Sequence, residues 1–182
     1  MDNADTSGGM TLRPVGIVRN NIKEAFLTAG KDGIKMERKK DEAIAEYHRS
    51  QRDVSEIVID GEWAELLTGI EEYSHLVVLY WAHGIPAKSR SLRQVHPMGR
   101  KELPLVGIFC TRSPARPNPV LLSVVKLVER EGNVLRVTGL DAMDGSPVID
   151  IKPYIREFYP QEEMTVPDWM KLILGEVDRL TQ

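Results

Sequence analysis

The sequence predicts a mostly β protein of the α+β class, with its strands mainly antiparallel, and three observations lead to this prediction. Apolar segments of strand length recur along the chain, at residues 54–60, 74–82, 120–128, 134–138 and 148–154. The third and fourth of these segments are joined by a short polar turn, which is typical of a hairpin. No strand is followed by the Gly-x-Gly-x-x-Gly turn that opens a dinucleotide-binding βαβ unit.

Composition places the chain among single-domain globular proteins. It has 182 residues, of which 42% are apolar and 28% are charged. The formal net charge of −3 argues against a protein coated in basic charge that binds nucleic acid indiscriminately. The longest apolar run, at 76–82, is too short to span a bilayer, and no signal sequence is recognisable at the N-terminus. We therefore expect a cytoplasmic protein without a membrane segment.

Cys110 is the only cysteine. A disulfide within the chain is excluded, which fits a reducing compartment. Because its neighbours are apolar, we expect Cys110 to be a small core residue rather than a nucleophile. One cysteine and four scattered histidines predict no metal site.

The N-terminal quarter contains one predicted strand between two polar segments. Residues 1–9 are small and polar, which predicts a disordered tail. Residues 12–19 contain Val15, Ile17 and Val18 and have a proline near their start, which predicts a first strand. Residues 20–52 include a run of charged side chains with few apolar anchors, which predicts a solvated helix or a mobile loop.

The next segment leads to the predicted centre of the sheet. Residues 54–60 are a predicted strand, and residues 61–71 a short helix. One face of this helix would carry the apolar side chains of Trp63, Leu66, Leu67 and Ile70. The continuous apolar run at 74–82 predicts a central strand, which ends at His83 and Gly84.

Residues 88–101 are locally basic in an acidic protein. This segment holds five lysines or arginines, one histidine and no acid. It is open at this point whether the segment is a solvated loop or a patch that contacts phosphates. We favour the phosphate patch because the segment leads directly into the stretch described next.

Residues 108–119 form a stiff stretch with three prolines in six residues, and with Arg112 and Arg116 four apart. Proline fixes its own backbone and restrains the residue before it, so the stretch is predicted to be a rigid connection at a strand end. A guanidinium presents a fixed fork of donors that suits carboxylates, phosphates and base edges. The alternative is a rigid crossover loop with solvated arginines.

Residues 139–154 contain three aspartates in an otherwise apolar stretch. Asp144 and Gly145 are a turn signal. Asp150 and Lys152 lie two apart on a predicted strand, so they share a face and can pair with each other.

A final amphipathic helix is predicted after Pro167 and Asp168, since proline and an acid are favoured in a first turn. Its apolar residues recur at helical spacing, so we expect one face to pack on the body of the protein. The predicted organisation is a tail at 1–9, a β domain at 10–160 and this helix within 161–182.

Two motifs together resemble a known family. Thr-Arg-Ser-Pro-x-Arg-Pro-Asn-Pro begins at Thr111, and Asp-Gly-Ser-Pro-Val-x-Asp-Ile-Lys-Pro-Tyr begins at Asp144. Both are similar to motifs of the TsaA-like (TrmO) family of tRNA methyltransferases, in a short, archaeal-like form, and the likeness spans roughly residues 10–156. The resemblance implies a small single-sheet β-barrel, a homodimer, S-adenosylmethionine as methyl donor and tRNA as substrate. The implied acceptor is N6 of threonylcarbamoyladenosine beside the anticodon.

The resemblance also implies site residues. Those implied to bind the cofactor are His83, Gly84, Arg112, Leu122, Asp144, Gly145, Ser146 and Pro147. The candidate catalytic residue is Asp144, which would orient the acceptor nitrogen or take its proton, unless it caps its own turn. The candidate RNA contacts are Arg90, Arg93, Arg100, Lys101 and Arg116.

Two departures from the family pattern keep other functions open. Leu121 stands where the family has a glycine, and the family's N-terminal cofactor segment is not recognisable in residues 20–52. The alternatives are a methyltransferase of the same fold with another acceptor, or a cofactor-binding or RNA-binding protein without turnover.

Overall fold

The structure is a computed structural model that describes residues 10–24, 27–30, 33–36 and 51–179. The predicted tail at 1–9 and most of the charged run that follows the first strand lie outside the described residues. The boundaries of the predicted organisation remain predictions.

The described residues form ten strands. In chain order these are β1 Gly16–Arg19, β2 Leu27–Gly30, β3 Gly33–Met36, β4 Ser55–Ile59, β5 His75–Trp81, β6 Gln94–Val95, β7 Val106–Gly107, β8 Val120–Glu131, β9 Val134–Thr138 and β10 Pro147–Pro153. Six of them close into an antiparallel barrel in the order β1-β10-β5-β8-β9-β4. The remaining four make two small sheets, β2-β3 and β6-β7. The predicted fold class is confirmed.

The barrel interior is filled by alternate side chains of its strands, as period-two patterning requires. On β4, residues Ser55, Ile57 and Ile59 are buried, while the residues between them are partly exposed. Full burial of one such aliphatic side chain stabilises the fold by about 1.5 to 3 kcal/mol. The buried core also contains Val18, Leu76, Val78, Tyr80, Val125, Leu135, Val137, Leu140 and Val148.

Strand β5 is central, as its continuous apolar run predicts. It pairs with β10 on one side and with β8 on the other. Leu76, Val77 and Val78 are all buried, so both faces of the strand are covered at these positions. The adjoining strand β10 carries the ion pair between Asp150 and Lys152 at 2.5 Å, which confirms their predicted pairing.

Curvature is introduced at two β-bulges, which bend a sheet and help it to close. One lies in β10 between Val148 and Asp150, and the other in β8 between Leu127 and Glu129. β8 continues past the predicted end of the strand as far as Glu131, and its turn to β9 is centred on Gly132 at φ 60°.

Short 3-10 helices lie in several of the connections within the described part of the chain. They span Gly61–Leu67, Ile70–Glu72, Ala87–Ser91, Pro97–Gly99, Ile108–Cys110 and Arg156–Phe158. The helix predicted at 61–71 is therefore two 3-10 segments, separated at Gly69, whose φ is 81°. Leu67 is buried there, but Leu66 is 71% exposed, since the tighter helix turns it away from the core.

The final helix spans Asp168–Arg179 and has Asp168 in its first turn, as predicted. Arg100 Nη1 contacts Glu176 Oε2 at 2.7 Å, which joins this helix to the basic segment. The prediction for Cys110 is wrong, because its side chain is exposed at the end of a 3-10 helix. No helix in the described part of the chain has the length and apolar character needed to cross a membrane.

Candidate active site

The stretches singled out in the sequence converge at one end of the barrel. Trp81 at the end of β5 pairs with Val120 at the start of β8, and Ile17 of β1 pairs with Pro147 at the start of β10. Antiparallel pairing therefore brings together His83, the stretch that contains Arg112, and the turn before Pro147. Sequence reasoning had placed these groups in one site, but it could not give their geometry.

Arg116 holds the proline-rich stretch in shape. Its Nε donates to the carbonyl of Ser113 at 2.9 Å, and its Nη2 donates to the carbonyl of Thr111 at 2.7 Å. The Ser113 hydroxyl in turn accepts a hydrogen bond from the N–H of Ala115, which is fully buried. The guanidinium thus supplies the donors for a loop whose prolines have none.

Arg112, in the same loop, is exposed to solvent. Its Nη2 donates to the carbonyl of Leu122 at 2.8 Å. Leu122 is itself 39% exposed, so a charged fork and an apolar side chain adjoin at the start of β8. Leu121, which replaces the family glycine, instead packs partly buried against the core.

The turn at Asp144 is tied to the end of β1. Asp144 Oδ2 contacts Lys23 Nζ at 2.5 Å, and its Oδ1 accepts the N–H of Asn20 at 3.0 Å. Lys23, followed by the Asn20 amide, holds the pKa of the Asp144 carboxyl below its usual value. The N–H groups of Asp144 and Gly145 donate to the carbonyls of Ile22 and Val18. Both carboxylate oxygens and both amides are thus engaged, and the carboxylate bonds to another segment rather than to its own turn.

His83 closes one side of the turn. Its Nδ1 lies 3.3 Å from the hydroxyl of Ser146, which is 1% exposed. A Cβ on Gly145 would lie 3.8 Å from His83 Nε2, and φ at this glycine is +78°. A Cβ on Gly84 would similarly lie 3.5 Å from the sulfur of Met143. An added methyl group would therefore meet only ordinary van der Waals contacts at either glycine, and the requirement for glycine at position 145 comes from its positive φ.

Asp141 is held against the barrel wall by its backbone. The hydroxyl of Tyr80 donates to the Asp141 carbonyl, and the Asp141 N–H donates to the hydroxyl of Ser123 at 3.4 Å. Tyr80 and Ser123 are 2% and 8% exposed, so these bonds are inside the barrel. Burial of the Asp141 carboxyl raises its pKa although the residue as a whole is exposed, and the charge of Arg112 opposes this rise.

The predicted RNA contacts fall into two groups. Arg90 lies over the ring of Trp81, 5.3 Å from its centroid, and Arg100 contacts Glu102 at 2.6 Å in addition to its contact with the final helix. These two arginines, like Arg116, are therefore engaged within the protein. Arg93 and Lys101 are exposed.

Sequence reasoning missed Asn20, Lys23 and Tyr80. The side chain of Asn20 donates to the carbonyl of Ala142 at 2.9 Å, so it holds the far side of the same turn. The sequence signal for Asn20 is a polar residue directly after a strand. No sequence signal marks Tyr80, because it lies in a continuous apolar run.

Comparison with known proteins identifies the family. The sequence profile described as the tRNA-methyltransferase O N-terminal domain matches residues 38–159. The chain belongs to this family. Both motifs and the converged end of the barrel, apart from β1 and the segment after it, lie within the matched residues.

Two relatives, one archaeal and one from mouse, support the assignment. The chain is 42% identical over 80% of its length to a protein of Methanothermobacter thermautotrophicus named as a probable S-adenosyl-L-methionine-binding protein, and the match covers 90% of that protein. A mouse tRNA (adenine(37)-N6)-methyltransferase is 37% identical over 55% of this chain and 23% of its own length.

A solved structure shares the fold. The crystal structure of TrmO from Pseudomonas aeruginosa matches with a TM-score of 0.59 and 25% identity, over 84% of this chain and 58% of that one. The chain therefore spans somewhat more than half of the bacterial enzyme and about a quarter of the mouse enzyme.

Proposed function

We propose that this chain transfers a methyl group from S-adenosylmethionine to N6 of threonylcarbamoyladenosine beside the tRNA anticodon. The coarser statement, an S-adenosylmethionine-dependent tRNA methyltransferase, is supported by the family and by the names of its relatives. The finer choice of acceptor rests on the family resemblance of the two motifs. The observation that carries the proposal is the convergence of Arg112, His83 and the Asp144 turn at one barrel end.

The groups at this end fit the cofactor chemically. Arg112 uses one nitrogen on the Leu122 carbonyl, and among the described residues its other nitrogens have no hydrogen-bond partner, so they can hold a carboxylate. Leu122 offers exposed apolar surface beside it. Gly145 has no side chain beside His83, so the backbone of the turn can approach a ligand closely there.

When bound, the cofactor would supply an electrophilic methyl group to N6, with S-adenosylhomocysteine as the leaving group and the N6 proton released to solvent. The protein must align the two reactants and exclude water, which is the larger part of catalysis for such a transfer. We assign Asp144 to orientation of the turn. Its carboxylate is kept ionised by Lys23 and Asn20, and both its oxygens are occupied, which makes it a poor proton acceptor.

For tRNA, we propose that Arg93 and Lys101 contact phosphates, because they are the exposed members of the basic segment. Arg90, Arg100 and Arg116 then act indirectly, by holding that segment and the proline-rich loop in shape. We also propose that the protein acts in the cytoplasm, on tRNA.

We further propose a homodimer. The outer face of β8 exposes Leu122, Val124 and Val128, at 39%, 41% and 54% of their surface. Lys126 lies on the same face between Val124 and Val128. Exposed apolar side chains that share one strand face are typical of surfaces that pack on another protein. A second copy on this face would lie next to Leu122 and hence beside the site.

The test is methyl transfer to two forms of one tRNA. Protein and methyl-labelled S-adenosylmethionine are incubated with tRNA that carries the threonylcarbamoyl group and with the same tRNA that lacks it, and the nucleosides are identified by mass spectrometry. The proposal predicts label on N6 of the modified nucleoside only. Label in both tRNAs would point to another acceptor. No label, with cofactor still bound, would favour a binding protein, as the archaeal relative is named.

A further inference from the structure

Two opposite charges, those of Arg112 and Asp141, are anchored to consecutive residues of β8 at the candidate site without pairing with each other. Arg112 is close enough to lower the pKa of the Asp141 carboxyl, yet no ion pair within 4.0 Å joins them in the described part of the chain. Among those residues, the Asp141 carboxylate also accepts no hydrogen bond. A guanidinium and a carboxylate that are anchored to neighbouring residues but do not pair can be bridged by a ligand that carries both charges.

The position of Asp141 is fixed independently of its side chain. Its N–H and its carbonyl bond to Ser123 and Tyr80, both inside the barrel wall. Arg112 is fixed to the adjacent residue of the same wall, through the carbonyl of Leu122. Consecutive residues of β8 thus anchor the two charged residues, which gives them a defined separation.

We propose that Asp141 binds the α-ammonium group of the S-adenosylmethionine methionine moiety, opposite a carboxylate held by Arg112. This inference rests on the proposed function and adds a residue to it. An amino acid presents an ammonium and a carboxylate on one carbon, which matches one acidic and one basic side chain. The partly buried carboxyl strengthens the selection, because a charge-assisted bond gains strength where water is reduced.

Three compounds distinguish which group of the cofactor Asp141 contacts. The sulfonium of the cofactor is also positive, but it is absent from S-adenosylhomocysteine, which keeps the amino acid. Methylthioadenosine lacks the amino acid and keeps the adenosine. Binding of these three compounds therefore separates contact with the ammonium, with the sulfonium and with the nucleoside.

The experiment is calorimetric titration of the wild type and Asp141→Asn with all three compounds. We expect the substitution to weaken the binding of S-adenosylmethionine and of S-adenosylhomocysteine by about tenfold to a hundredfold. The affinity for methylthioadenosine should change by less than about twofold, since this compound makes no contact with the residue. Asp141→Glu, which keeps the charge, should recover part of the affinity.

Asp150→Asn is the matched control. Asp150 lies on β10 and pairs with Lys152, so its loss should leave all three affinities unchanged. Thermal melting of each variant reports whether the fold is intact.

Three outcomes overturn the inference. If methylthioadenosine binding weakens equally, Asp141 contacts the nucleoside or supports the fold. If only S-adenosylmethionine binding weakens, Asp141 contacts the sulfonium. If all three affinities are unchanged, Asp141 does not contact the ligand. Failure of the proposed function looks different, because there the wild type itself binds no cofactor or methylates no tRNA.

Discussion

The carboxylate of Asp144 accepts the backbone N–H of Asn20 at 3.0 Å, across 124 positions of sequence. This bond, with the ion pair to Lys23, fixes the turn that carries Gly145 and Ser146 onto the end of β1. A carboxylate held this way stabilises the folded state only while it is ionised. The stability of the protein should therefore depend on pH through this residue.

The first prediction concerns Asp144→Asn. The folded-state pKa of Asp144 is lowered, so its contribution is complete above the ordinary value of 3.8 and is lost as the pH falls through the folded-state pKa. At neutral pH the variant should melt at a lower temperature than the wild type. The difference should shrink to nothing in strong acid, as measured by calorimetric melting from pH 7 downwards.

Asp53→Asn serves as control for this series, because Asp53 is exposed and makes no hydrogen bond or ion pair with the described residues. Its melting should follow the wild type at every pH. A difference between Asp144→Asn and the wild type that grows in acid would contradict the assigned role.

The second prediction concerns Tyr80→Phe. The substitution removes the hydroxyl that donates to the Asp141 carbonyl and leaves that carbonyl without its donor inside the wall. We expect a loss of about 1 to 2 kcal/mol in the free energy of unfolding, measured with urea. Cofactor affinity should fall as well, because Asp141 is then less firmly placed.

Tyr73→Phe is the comparison for Tyr80, since Tyr73 is 42% exposed. It should change neither stability nor affinity. If Tyr80→Phe is as stable as Tyr73→Phe, the hydroxyl contributes nothing and the placement of Asp141 has another cause.

The third prediction separates the two kinds of basic residue. The double variant Arg93→Ala/Lys101→Ala should weaken tRNA binding and lower the slope of log K against log salt by between about 1 and 2, one phosphate contact for each residue. Filter binding over a range of salt concentrations measures both quantities. Thermal stability should not change, since both side chains are exposed.

Unlike the double variant, Arg116→Ala should lower stability and leave the salt dependence of tRNA binding unchanged. Loss of the bonds from Arg116 to Ser113 and Thr111 should cost about 1 to 3 kcal/mol in the free energy of unfolding. If Arg116→Ala keeps full stability and shows a reduced salt slope, Arg116 contacts the RNA rather than holding the loop.

The fourth prediction concerns assembly. Light scattering should give the wild type twice the mass of the chain, and Val124→Asp, on the outer face of β8, should give the single mass because it would bury an unpaired charge in the contact. Leu66→Asp replaces an apolar residue that is 71% exposed elsewhere on the surface, and it should remain a dimer. A wild type of single mass would exclude the dimer under these conditions.

Much of the barrel is readable from the sequence because its strands carry their own patterns. The hairpin of β8 and β9 follows from alternation and a polar turn, and the central place of β5 follows from a run that is apolar on both faces. The motif residues Arg112 and Asp144 mark the site through a family resemblance. Closure and register depend on bulges and on pairings between distant strands, for which local patterns give no signal.

The remaining site contacts depend on tertiary structure. Lys23 and Asn20 meet Asp144 only because β1 and β10 pair. The exposure of Cys110 could not be read from apolar neighbours, since a 3-10 helix after β7 decides which side of the loop the sulfur faces. In the same way, the sequence shows five basic residues at 88–101 but not that Arg90 and Arg100 bond internally.

Calorimetric titration with S-adenosylmethionine shows whether Arg112 and the turn at Asp144 form the cofactor site. For the wild type we expect a micromolar dissociation constant, which corresponds to a binding free energy of about −8 kcal/mol. Arg112→Ala should bind the cofactor at least about tenfold more weakly, through loss of the bonds to the carboxylate. A wild type that binds no cofactor, or an Arg112→Ala variant that binds it equally well, would show that these residues do not form the site.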